Sequence, residues 1–380
     1  MIRPMADHRS DAGGVPEVRG AGRRILITGL ATHWGGRLAE ALEADPAIEA
    51  IVGVDSREPT RELRRTEFVK VSNQHSLIER IVTAARIDTV IDTRLVVDSV
   101  VTSPREAHEN NVIGTMNILA ACTGPDSPVR RFVFKSSAHY YGCEQDDPAF
   151  FTEQMRRPHP PRTMIERDIV EAEAAVAEHA AKHPNTTVTV LRCSNVLGPG
   201  VRTSYTRMFE LPLTPMVLGF DPRTQFVHED DVVHALEHVA IGHFPGIFNV
   251  AADGVLALSE TISLLGRRPA PVLPPIGTGL AAGSLRSLGL PIPDEMIGQL
   301  RFGRGLDNRL LKATGFDYEF TTRETVLKLV EHQRLAPVLR AAGQGYTYER
   351  EVDDFLKRSP LVDRDGPSAA AAAENEPFGI

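Results

Sequence analysis

The stretch Arg24-Ile-Leu-Ile-Thr-Gly-Leu-Ala-Thr-His-Trp-Gly-Gly-Arg-Leu38 governs how the rest of the chain is read. Ile25, Leu26 and Ile27 form a short apolar run suited to a strand buried on both faces, and Gly29 ends it with a residue that tolerates positive φ. Trp34, Leu38 and Leu42 recur at helical spacing, so a helix begins near Gly35 and lays that stripe on the sheet. A glycine turn entering a helix presents free N–H groups at the positive end of the helix dipole, where a pyrophosphate binds in dinucleotide folds. Gly29 and Gly35 hold the first and third positions of a G-x-x-G-x-x-G loop, with His33 and Trp34 beside them. Thr32 holds the second position, and its Cβ crowds an approaching phosphate.

The next strand, Ala50-Ile-Val-Gly-Val-Asp55, ends in a carboxylate where a ribose-binding acid belongs. Such an acid accepts hydrogen bonds from both ribose hydroxyls and repels a 2′-phosphate. The expected cofactor is therefore NAD, with NADP the lesser alternative because Arg57 follows closely.

The 380 residues are enough for a full core, and 42% hydrophobic with 24% charged residues is an ordinary globular balance. The net charge of −8 is spread without long runs and lacks the clustered basic face of a nucleic-acid binder. Three scattered cysteines, Cys122, Cys143 and Cys193, make neither a disulfide framework nor a zinc site, which suits a reducing cytoplasm. Residues 1–22 carry no apolar core of a secretion signal, and no later run reaches membrane-spanning length. His228, His234 and His238 do not read as a metal site. The first fits a structural position, and the other two fit a partly exposed helix face.

From residue 23 onward apolar strands alternate with helical patterns, which predicts a Rossmann-type, doubly wound parallel α/β sheet. Strands are expected at Phe68–Val71, Thr89–Ile91, Arg131–Ser137 and Thr187–Leu191. Helices are expected over 77–86, from Pro104 to Cys122, and over 163–182. After Gly200 the alternation breaks down. The organisation read from the sequence is a disordered tail over 1–22 and a nucleotide-binding domain over 23–200. A smaller substrate or lid domain over 201–337 returns segments to the sheet, and an extension over 338–380 has a low-complexity, disordered end.

Several motifs stand in one order: Thr28-Gly29 with Gly35, Asn111-Val-Ile-Gly-Thr-Met-Asn-Ile-Leu119, Ser136-Ser-Ala-His-Tyr-Tyr-Gly142, Leu191-Arg-Cys-Ser-Asn-Val-Leu-Gly-Pro-Gly200 and Phe226-Val-His-Glu-Asp-Asp231. In that order the chain resembles an extended short-chain dehydrogenase/reductase of the NAD-dependent epimerase/dehydratase family, similar to UDP-glucose 4-epimerase, over roughly residues 24–330. The resemblance implies a tightly held NAD, a nucleotide-sugar-like small molecule as ligand, and a homodimer formed through helices 104–122 and 163–182. It also implies that Asn111 is the helix asparagine near the active site and that Ser137 holds the substrate oxygen.

The family's proton-transfer pair is Tyr-x-x-x-Lys. One helical turn places both side chains on one face, and the ammonium lowers the phenol's pKa. Aligned from Ser137, those positions carry Thr163 and Arg167. Arginine can still hold ribose hydroxyls, but a threonine hydroxyl cannot replace a phenol with a pKa of about 10. Other departures fall on the cofactor side. The fourth strand runs into Thr93 and Arg94, and Arg94 either obstructs the pyrophosphate or binds it. Ser72 stands where an acid would meet adenine. Two functions remain open: an NAD-dependent oxidoreductase or isomerase, and a non-catalytic cofactor- or ligand-sensing relative.

Overall fold

The computed structural model describes residues 23–71, 74–99, 101–124, 127–272 and 292–341. Contacts divide the chain into a unit ending at Val326 and a second beginning at Leu327, and the sheet and cleft belong to the first. The tail over 1–22, Ser72 and the low-complexity end lie outside the described residues.

The chain opens with strand β1 (Arg23–Thr28), helix α1 (His33–Leu42), strands β2 (Ile48–Asp55) and β3 (Thr66–Lys70), helix α2 (His75–Ala84) and strand β4 (Thr89–Asp92). Helix α3 (Pro104–His108) runs through a π-turn at Glu109–Ile113 into α4 (Gly114–Ala121). Strand β5 (Arg131–Ser137), the short β6 (Phe150–Phe151), helix α5 (Met164–Lys182) and strand β7 (Thr187–Cys193) follow. Beyond them lie β8 (Asn195–Leu197), α6 (Ser204–Glu210), β9 (Leu213–Val217), β10 (Arg223–Thr224), β11 (Phe226–His228), α7 (Glu229–Ile241) and β12 (Gly246–Val250).

Seven of these strands form one parallel sheet in the order β12-β7-β5-β4-β1-β2-β3. The expected doubly wound α/β fold is present. Strand order reverses between β1 and β4, and in open α/β sheets a ligand crevice opens beyond the carboxyl ends of the strands at that point. One face of the sheet packs on α1 and α7, the other on α2, α4 and α5. Leu38 and Leu42 of the α1 stripe are fully buried, and each contributes roughly 1.5–3 kcal/mol through removal from water. Trp34, the first member of the stripe, is only partly buried.

The irregular stretch after Gly200 packs short strand pairs over the sheet's carboxyl edge: β8 beside β11, and β10 and β9 each beside a later short strand. Beyond them a helix at Asp294–Phe302 stands over the same edge. Residues 322–341 form a helix of 20 residues, where the sequence reads as short mixed elements.

Candidate functional site

A cavity of about 480 Å³ opens at the switch point. Thr32, His33 and Trp34 line it from the first loop and α1, Thr93 to Asp98 from the segment after β4, and Lys135, Ser136, Ser137 and His139 from the end of β5. Cys193 to Val196, Gly200 to Tyr205, and Pro293, Glu295 and Met296 close the other side.

The glycine loop is built as expected but is covered differently. Gly29 has φ +83°, and a Cβ on Gly35 would lie 2.1 Å from the Gly29 carbonyl oxygen, so both glycines are demanded by the backbone itself. Thr32 is the N-cap of α1, its Oγ1 accepting from the Gly35 N–H at 3.0 Å. The threonine thus uses a donor that a bare loop would leave for an anion. Arg94 settles over the same turn. A Cβ on Gly29 would meet its Cγ at 2.5 Å, and its Nε and Nη2 donate to the two carboxylate oxygens of Asp92 at 3.0 and 3.1 Å. The stem of Arg94 thus lies on Gly29 while its guanidinium faces Asp92.

Asp55 stands at the end of β2, partly buried. Its Oδ2 accepts from the Ala31 N–H at 3.0 Å and its Oδ1 from the Arg57 N–H at 3.1 Å. Gly29, Gly35 and Asp55 are not among the residues lining the cavity, whereas Thr32, His33, Trp34, Thr93, Arg94 and Ser137 are. These residues fit the adenosine end of a dinucleotide through Asp55, but they do not offer its diphosphate the bare glycine backbone of the unmodified loop.

Asn111, fully buried in the π-turn, is a positioning residue. Its amide bonds both backbone groups of Val96, each at 2.8 Å, which fixes the segment that walls the cavity. Ser137 ends a polar relay. Tyr205 donates to Gln299 Oε1 at 3.1 Å, Gln299 Nε2 lies 3.0 Å from His139 Nε2, and His139 Nδ1 lies 2.8 Å from Ser137 Oγ. Burial, with Arg304 and Arg157 nearby, pushes the His139 pKa down to about 3, so the ring is neutral. Because the Gln299 amide donates to Nε2, the remaining ring proton sits on Nδ1 and is donated to Ser137. Beside this relay His33 Nε2 pairs with Glu229 Oε2 at 2.7 Å, and Glu229 also accepts from the Gly200 N–H at 2.7 Å. Burial raises the Glu229 pKa, but the bonds from His33 and Gly200 and the charge of Arg37 outweigh it and hold the carboxyl below its usual range.

The two positions expected for the proton-transfer pair lie at the start of α5. Thr163 is the N-cap of α5, accepting from the Glu166 N–H at 3.2 Å, and Arg167 is exposed with Nη1 3.6 Å from Met164 Sδ. Neither lines the cavity. Ile165 and Ile169, at 2% and 0% exposure, turn the inner face of α5 into the apolar core rather than into the cavity. No tyrosine among the described residues offers an unengaged hydroxyl to the cavity. Tyr141 donates to Asn249 Oδ1 at 2.9 Å, and Tyr140 lies under the Arg192 guanidinium, 3.5 Å from its ring centroid. Tyr205 lines the cavity, but burial drives its pKa well above the usual phenol range and its hydroxyl is given to Gln299.

Sequence reading passed over Lys135, Tyr205, Gln299 and Glu295. Of these only Lys135 carried a signal, as a charge inside an otherwise apolar strand. Among the described residues there is no group of three or more metal-ligating side chains, and no helix is long and apolar enough to cross a membrane.

Residues 25–251 match the model of the NAD dependent epimerase/dehydratase family. An uncharacterized protein of Mycobacterium tuberculosis is 32% identical over 327 residues, covering 83% of this chain and 85% of that protein. The fold is similar to that of Thermotoga maritima UDP-glucose 4-epimerase, solved with UDP-glucose (20% identity, TM-score 0.63, 82% of this chain and 99% of that one). It is also similar to MoeE5, solved with UDP-glucose and NAD (22%, 0.61, 82% and 99%), and to Bacillus anthracis dTDP-glucose 4,6-dehydratase, solved with NAD (17%, 0.62, 82% and 97%). With its glycine loop and nearly all of its parallel sheet inside the matched span, this chain belongs to the NAD dependent epimerase/dehydratase family.

Proposed function

We propose that the chain binds NAD and a nucleotide-linked small molecule at the switch-point cleft, and that it works without the phenol-driven proton transfer of a Tyr-x-x-x-Lys pair. The observation that carries this reading is that Thr163 is used as the N-cap of α5 and Arg167 is exposed, with neither among the residues lining the cavity. Bound NAD supplies hydride exchange. The chain's own residues hold the ligand: Asp55 accepts ribose hydroxyls, Asn111 fixes the cavity wall, and Ser137 meets a ligand oxygen. This favours a cofactor- or ligand-sensing role.

The enzyme reading draws support from the neutral His139, whose hydrogen bond to Ser137 orients that hydroxyl in the cavity wall. Calorimetry with NAD and NADP tests the shared part. NAD binds more tightly than NADP, and Asp55→Ala weakens NAD by roughly 10- to 100-fold, the scale of lost charge-assisted hydrogen bonds. Binding of neither cofactor refutes it. Turnover of UDP-glucose with NAD that survives in His139→Gln and Ser137→Ala would set the sensing role aside.

A homodimer in the cytoplasm is part of the same proposal. Ile113 and Met116 on the π-turn and α4, and Met164 at the start of α5, are large apolar side chains at 45%, 51% and 44% exposure on the helices expected to pair. Sedimentation at a single-chain mass would remove the dimer.

A further inference from the structure

Lys135 is the odd member of β5. Phe132, Val133 and Phe134 before it are fully buried core, and Lys135 follows them inward at 3% exposure, on the α1 side of the sheet. It lines the cavity, and its Nζ stands 4.6 Å from the centroid of the Trp34 ring. Among the described residues no carboxylate lies within ion-pair distance of that ammonium. The two arginines of the cavity wall are differently placed: Arg94 is matched by Asp92, and Arg202 is exposed. The two carboxylates of the lining are already served by neutral donors, Asp98 by the Ser204 N–H and hydroxyl and Glu295 by those of Ser99.

A buried ammonium with no counter-charge is heavily penalised. Burial accordingly lowers the Lys135 pKa from the ordinary lysine value. The Trp34 ring face offsets part of that penalty, because its quadrupole favours a cation above it. Nothing in the strand requires the charge, since an apolar side chain would continue the run of β5. A cation kept at such a cost on a cavity wall is explained by an anion that arrives there.

We propose that Lys135 is the anion-binding residue of this cavity and receives the diphosphate of the nucleotide bound there. This rests on the nucleotide-binding reading above and adds what replaces the glycine backbone now covered by Arg94 and capped by Thr32. The diphosphate comes either from the dinucleotide or from the nucleotide-linked ligand.

Trp34 is the chain's only tryptophan, so its emission reports on the space above Lys135 directly. Titration of the full chain with inorganic pyrophosphate is expected to change that emission saturably. Lys135→Met should weaken binding by roughly 10- to 100-fold and Lys135→Arg should keep most of it, as expected for one charge-assisted contact. Lys135→Gln serves in place of the methionine variant if the latter melts early. No saturable change in the native chain, or equal binding by Lys135→Met, overturns the proposal.

Competition then separates the sources: displacement of pyrophosphate by NAD assigns the site to the dinucleotide, and displacement by UDP alone assigns it to the second ligand. If pyrophosphate binds through Lys135 while NAD does not bind at all, the cofactor reading falls and this one stands. If NAD binds, and both NAD and UDP bind native and Lys135→Met chains alike, the cofactor reading stands and this one falls.

Discussion

Two helices of this chain begin in the same way and end up doing different work. Helix α1 starts after Thr32, which accepts from the Gly35 N–H. Helix α5 starts after Thr163, which accepts from the Glu166 N–H. From the sequence each threonine is expected where the family pattern calls for another residue, a glycine in the first case and a tyrosine in the second. Thr32 lines the cavity, however, and Thr163 does not. The fastenings of the helices also differ. Helix α1 is held by backbone closeness, Gly35 resting on the Gly29 carbonyl. Helix α5 is held by charge: Glu173, 5% exposed, pairs with Arg192 at 2.6 Å and accepts from Ser136 Oγ at 2.5 Å. A capping threonine therefore stabilises a helix start wherever it occurs. Whether it also meets a ligand depends on where the rest of the helix is anchored.

The comparison can be broken in three places, taken from the largest effect down. Glu173→Gln leaves Arg192 buried without its counter-charge, and loss of about 3–5 kcal/mol is expected in urea unfolding. A loss under 1 kcal/mol would show that α5 is not held by that pair. Gly35→Ala forces a methyl against the Gly29 carbonyl, and roughly 1–3 kcal/mol should go in the same measurement. An unchanged unfolding midpoint would remove close packing as the fastening of α1. Thr32→Ala and Thr163→Ala should each cost about 1 kcal/mol as lost caps. Only Thr32→Ala should also alter NAD affinity in calorimetry, and an equal change for Thr163→Ala would bring α5 back to the cleft.

The strands were legible because buried parallel strands read as continuous apolar runs bounded by turn residues. Strand β5 falls on Arg131–Ser137 as read, and α5 on Met164–Lys182 within one residue of its expected start. The presence of α5 followed from its periodicity, but which of its residues face the cleft did not. That depends on how the loop over 144–162 delivers the helix, and none of the α5 residues lines the cavity. Arg94 was legible as bulk beside the cofactor loop. Its disposition needed the structure, because it turns on pairing with Asp92 at the strand end. Gln299 and Tyr205 were invisible as a relay, since the stretches carrying them meet only in the folded chain.

Because the His139 ring proton and the His139 backbone N–H, at 3.3 Å, both point at Ser137 Oγ, that oxygen has no lone pair to spare. Its own hydrogen is the one thing it can offer. The wall therefore discriminates by polarity at that point: a guest presenting a carbonyl, ether or phosphoryl oxygen completes the chain of bonds that starts at Tyr205. One presenting only an N–H leaves two donors facing each other.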